Sequence, residues 1–216
     1  MSQLFDIENW ERKEHFNFFK NFEEPFFGLT ATVEVTKLYE YCKKEQLSFF
    51  SAYLYAAIRV ANEIMEFRLR IKPDDTVVLH ETIGASPTVN RPNGTFGFAY
   101  VDYYPDFHEF TKHYKAEIER VKADNRLIPS ENDDNTIHFS ALPWVKFTSI
   151  SHARSFKFRE SIPKISFGKV YNEGTKKLMP VSIHVHHAIM DGYHIGVFLE
   201  KFQELINQEL INNKTV

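Results

Sequence analysis

One cysteine, Cys42, occurs in 216 residues, so no disulfide can close within the chain. A reducing compartment is the simplest setting for such a protein, and a cytoplasmic location is expected. Long apolar runs are also missing. The longest weakly polar stretch, Phe49 to Ile58, falls well short of the roughly 18 residues needed to span a bilayer, and the N-terminal residues MSQLFDIENWERK carry acids rather than a secretory signal. No membrane partner is expected. Neither sign of charge dominates, with 26 Lys plus Arg against 29 Asp plus Glu and a net charge of -3. A polyanion-binding surface is therefore not implied, and no nucleic-acid partner is expected. There is no internal repeat, no low-complexity stretch and no shift in composition, so a single domain over residues 1–216 is the expectation. Phenylalanine, in contrast, is abundant: 21 Phe stand beside 10 Tyr and 2 Trp. These rings must be hidden in a core, in pockets or against another subunit.

Hydrophobic periodicity sets the element order. Asp6 to Phe22 reads as a short helix or an extended arm. Phe27, Leu29, Ala31, Val33 and Val35 alternate with smaller or polar residues, the period of a half-buried strand. Thr36 is expected to cap a helix through Gln46, and a second helix follows from about Ser48 to Ile64. Short strands are expected at Arg68 to Ile71, Thr76 to His80, Thr88 to Val89 and Thr95 to Val101. Phe107, Phe110, Tyr114, Ile118 and Val121 recur at helical steps, and Lys122 to Thr136 reads as a surface loop. Strands then fall around Ile137 to Trp144, Ile162 to Tyr171 and Leu178 to His186, the last two forming a hairpin at Asn172-Glu173-Gly174-Thr175. A helix closes the chain. Without regular βαβ alternation, the expected class is α+β: a two-layer α/β sandwich with helices on one face of a mixed sheet.

Chemistry concentrates between Ser182 and His194, where four of the 10 histidines fall. In a strand His184 and His186 point one way and His187 the other, so the three cannot share a metal without a backbone bend. Asp191 could join them, but a fourth ligand is not evident, and no metal is expected. An ordinary reading is a polar strand end whose histidines are satisfied by the core. The pattern His186-His187-Ala188-Ile189-Met190-Asp191-Gly192 is more specific than that. With Leu178-Met179-Pro180 before it and Tyr193-His194 after it, the segment resembles the HHxxxDG signature of the chloramphenicol acetyltransferase family. The resemblance continues in Asn9 to Phe16, in Glu66 to Ile71 and in Ser140-Ala141-Leu142-Pro143-Trp144, running nearly end to end.

The resemblance implies a chloramphenicol-acetyltransferase-like fold, acetyl-CoA as co-substrate lying in a tunnel rather than on a Gly-rich loop, and a small-molecule hydroxyl acceptor. It also implies a homotrimer with sites between subunits. His187 would be the general base, a role that needs a group titrating near neutrality. Ser140 would hydrogen-bond the oxyanion of the tetrahedral intermediate. Asp191 would pair with Arg12 and hold the catalytic loop, rather than complete a triad. Phe19, Ile128, Trp144, His152 and Ser166 would line the acceptor site. Several of these depart from the family pattern: Phe19 and Ile128 replace pocket aromatics, His152 stands where an apolar residue is expected, Ser166 stands for threonine, and Met190 for the usual cysteine. Two other readings compete. A dihydrolipoyl acyltransferase core shares HHxxxDG but would bring a lipoyl domain and an Ala/Pro-rich linker. A non-catalytic binder of small molecules would not need His187, Ser140, Asp191 and Arg12 together.

Overall fold

In a computed structural model, which describes residues 1–127, 134–155 and 160–208, the chain forms ten strands and five α-helices among the described residues. The first elements are β1 (Ser2–Leu4), α1 (Lys13–Phe19), β2 (Phe26–Glu34), α2 (Thr36–Lys44) and α3 (Phe49–Glu63). A 3-10 turn at Met65–Arg68 leads into β3 (Leu69–Ile71), β4 (Val77–His80), β5 (Gly84–Asn90) and β6 (Phe96–Phe98). After α4 (Phe107–Ala123) come β7 (Thr136–Ala141), β8 (Lys164–Phe167), β9 (Tyr171–Glu173), β10 (Lys176–His186) and α5 (Gly192–Gln208). The main sheet runs β2-β10-β8-β7-β5-β6, with β9 paired to β10, and a small second sheet runs β1-β4-β3. β7 is parallel to both β5 and β8, and the other pairs are antiparallel. The expected α+β class with a mixed sheet is the one found.

Helices cover one face. α3 starts at Ser48, whose side chain accepts from the Ser51 amide, and is buried from Ser51 through Ile58. It packs against the inward residues Val181, Ile183 and Val185 of β10, Ile165 and Phe167 of β8, and Ile137 and Phe139 of β7, all in one core cluster with Phe198 and Phe202 of α5. Each of these strand residues alternates with one pointing to the opposite face. Much of the Phe excess goes here: Phe16, Phe67, Phe110, Phe139, Phe167, Phe198 and Phe202 are all buried. Cys42 is buried too, and burial pushes its thiol up to about 11, which leaves it inert.

Four expectations need correction. Thr36 is not a cap but the first helical residue; its hydroxyl accepts from the Lys177 amide and donates to Glu34, tying α2 to β10. The strand expected over Thr95 to Val101 is cut to Phe96–Phe98, because Pro87 opposite accepts from the Ala99 amide but has no N–H to return. The strand expected over Ile162 to Tyr171 is likewise split at Gly168, which donates to the Pro180 carbonyl. A Cβ at Gly168 would lie 2.5 Å from Pro180 Cγ. The surface loop begins only after Ala123, since α4 continues through it.

Candidate active site

The uncovered face of the main sheet is built of in-register polar rows. One row crosses the strands as Ser86, His138, Lys164, His184 and Gly28, from β5, β7, β8, β10 and β2. Two residues along, Ser140, Ser166, Ser182 and Thr30 form a row of hydroxyls. The missing side chain at Gly28 is filled by a neighbour: a Cβ there would sit 2.3 Å from His184 Cδ2. The segment after β7 folds back over these rows. His152 reaches Ser166 Oγ at 3.3 Å through Nε2, and its ring meets that of His184 edge-on. Between this segment and the sheet lies a cleft of about 500 Å³, lined by Ser140, His138, His152, Lys164, Phe96 and Phe98 among others. Burial, then the charge of Lys164, depresses His138 to about 4. Burial, then His184 and Lys164, depresses His152 to about 4 as well. Both rings are therefore neutral hydrogen-bonding groups at pH 7.

His187 lies elsewhere, just past the end of β10. Its amide donates to the Pro25 carbonyl at 2.8 Å, and its ring stacks on Phe19 at 4.0 Å and against Phe27 at 4.6 Å. Nδ1 is 3.1 Å from the Met190 carbonyl oxygen. A carbonyl only accepts, so Nδ1 carries the hydrogen and Nε2 keeps its lone pair. His186 points the other way, buried, and its Nδ1 accepts from the Ala188 amide. The turn between them is anchored from a distance. Arg12 Nη1 donates to Asp191 Oδ2 at 2.5 Å, and His194 Nδ1 is 2.9 Å from Asp191 Oδ1. His194 Nε2 is 3.6 Å from Glu66, so the ring bridges two carboxylates. Burial alone would raise the Asp191 carboxyl, but Arg12 and His194 outweigh it and hold the group below the usual carboxylate range.

Of the residues singled out from the sequence, the structure brings Arg12 to Asp191, Phe19 to His187, and Ser140, His152 and Ser166 to one face. Trp144 is 68% exposed and does not line the cleft, and Ile128 lies outside the described residues. Ser140 and His187 do not meet within one chain. Ser140 pairs across β8 with Ser182, and His187 is five residues further along, a separation of about 15–20 Å by strand geometry. The sequence reasoning passed over His138, Arg154, Glu160 and Lys164. A lysine in the buried run Lys164-Ile165-Ser166-Phe167 was the available signal, since strands buried on both faces seldom carry one. Among the described residues no group of three His, Cys, Asp or Glu side chains is placed to hold a metal ion. No helix there is long and apolar enough to cross a membrane.

A mixed sheet with helices on one face, a polar cleft on the other and a histidine at a strand-to-helix turn is the arrangement to compare with known proteins, and the comparisons give an acyltransferase family. A profile of the family described as chloramphenicol acetyltransferase matches residues 2–203, and the chain belongs to that family. Chloramphenicol acetyltransferase 3 of Escherichia coli is 31% identical over 95% of this chain and 97% of its own. A solved chloramphenicol acetyltransferase superposes with a TM-score of 0.88 at 36% identity, covering 95% of this chain and all of that one. Dihydrolipoamide acetyltransferase of Azotobacter vinelandii shares the fold alone, with a TM-score of 0.67 at 11% identity over 85% of this chain and 82% of that one.

Proposed function

We propose that the protein transfers the acetyl group of acetyl-CoA to a hydroxyl of chloramphenicol or a similar small molecule, with direct attack assisted by His187. The observation that carries this reading is the Nδ1 contact of His187 with the Met190 carbonyl, which leaves Nε2 as the basic atom. Nε2 takes the proton as the acceptor oxygen attacks the thioester carbonyl. The Ser140 hydroxyl donates to the resulting oxyanion. Collapse of the intermediate expels the coenzyme A thiolate, which recovers the proton from His187. Replacing His187 with Ala should lower acetyl-dependent thiol release by about 10²-fold to 10⁴-fold in a folded protein. Near-wild-type turnover would remove His187 from the mechanism.

The separation of Ser140 from His187 supports a site formed between chains, one supplying the base and its neighbour the acceptor cleft, and the family resemblance makes that assembly a homotrimer. Mixing His187→Ala with Ser140→Ala subunits tests this directly. Random assembly should restore about one quarter of the wild-type sites if they form between chains, and none if each site lies within one chain.

A further inference from the structure

The acceptor face carries more charge than base and oxyanion chemistry requires. Its cleft changes character in strand order, from the rings of Phe96 and Phe98 on β6, past Ser140 on β7, to Lys164 on β8. Lys164 Nζ is 2.6 Å from Glu160 Oε1, with the lysine side chain only 9% exposed. Arg154, 11% exposed, lies 3.8 Å over the Phe26 ring, with its Nε 3.9 Å from the same Glu160 oxygen. Arg154 also pairs with Glu24, but Glu24 comes from the exposed arm and does not line the cleft. Both cations thus reach Glu160 Oε1 at the cleft wall, and Glu160 is the one of their two carboxylate partners that lines the cleft among the described residues. The positive field they create reaches the neighbouring imidazoles: after burial, Lys164 is a cause of the lowered values of His138, His152 and His184. A buried cation is costly unless an anion accompanies it. The resident anion is a carboxylate, so the cleft already accommodates that group.

We propose that the cleft selects hydroxyl acceptors bearing a carboxylate, which docks between Lys164 and Arg154 while the hydroxyl reaches Ser140 and any apolar extension lies toward Phe96 and Phe98. The proposal rests on the acetyl-transfer reading of the same site. Ser140 and Lys164 sit on adjacent strands two residues out of register, about 8 Å apart by strand geometry. That spacing sets the distance between the acceptor's hydroxyl and its charge. Glu160, 28% exposed, occupies the place beside Lys164 that the acceptor's carboxylate would take.

The test compares 4-(2-hydroxyethyl)benzoate with its uncharged methyl ester, by thiol release from acetyl-CoA. The carboxylate should be preferred about tenfold in kcat/KM at low salt, and less as ionic strength rises. Lys164→Met should reduce this preference about tenfold, whereas Glu160→Gln, which removes the carboxylate beside Lys164 while Arg154 keeps Glu24, should increase it. Equal use of the two compounds, or a preference unmoved by either variant, would overturn the proposal. If Lys164→Met does not fold, the opposite direction expected of Glu160→Gln decides. If neither compound yields thiol, the transfer reading fails separately, and calorimetric binding of the same pair carries the test. Carboxylate-dependent binding that strengthens in Glu160→Gln upholds the anion subsite; its absence rejects it.

Discussion

Arg12 and Asp191, 179 residues apart in the chain, meet through a 2.5 Å hydrogen bond that joins the N-terminal arm to the turn carrying His187. The buried Phe16 and the stack of Phe19 on His187 join the same two segments, and the Arg12–Asp191 contact is the charged link between them. The arginine side chain is 15% exposed and the aspartate 31%, so the pair is partly screened by water.

Removing either partner should therefore cost less than a fully buried pair would, about 1–3 kcal/mol of stability. Both Arg12→Met and Asp191→Asn should lower the melting temperature and acetyl transfer together. The double variant should lose less than the sum of the two. Additive losses in that cycle would show that the two residues act independently, and would reject the pair as the anchor of the turn.

Ser140→Ala should leave the KM of both substrates nearly unchanged while kcat falls about 10²-fold to 10³-fold, the loss expected for a main oxyanion donor. Steady-state kinetics with acetyl-CoA and chloramphenicol separates the two parameters. A change confined to KM would make Ser140 a substrate-binding residue.

Acid should weaken the fold through the sheet-face histidines. His138 and His152 are held at about 4 in the folded protein, below the ordinary histidine value of 6.5, so the unfolded chain binds more protons between those limits. Their contribution is present above about pH 6.5 and is lost as pH falls toward 4. Melting temperatures measured from pH 7 to pH 4.5 should fall less steeply for His138→Gln than for the wild type. Parallel curves would assign the acid loss in this range to other groups; Asp134, whose carboxyl His80 and Lys72 hold low against the opposing effect of burial, would add its own loss only below about pH 4.

How far the sequence discloses this molecule depends on how local each signal is. Helices α3 and α4 are legible because apolar residues recur at helical steps and because Ser48 and Asp106 cap them within three residues. The breaks opposite Pro87 and Pro180 are not, because the residue that interrupts each strand belongs to its neighbour, and pairing is invisible until strand order is known. The site divides the same way. His187 and Asp191 are four residues apart in one motif, while Phe19 and Arg12 are reached only through family resemblance. Lys164 escapes notice because its partner Glu160 and the cleft it enters depend on the fold-back of the segment after β7.

The bond from His187 Nδ1 to a main-chain carbonyl has an evolutionary consequence. A peptide oxygen persists at position 190 whatever side chain stands there, so methionine in place of the usual cysteine leaves the imidazole's hydrogen-bond partner where it was. Drift on the sheet face can re-line the acceptor cleft without disturbing the imidazole's tautomer, since the two are set by different atoms on different strands. Selectivity and reactivity are in this sense separately heritable. On the proposed mechanism, a library randomised at His138, His152 and Lys164 would vary the cleft while the His187–Met190 contact stays constant.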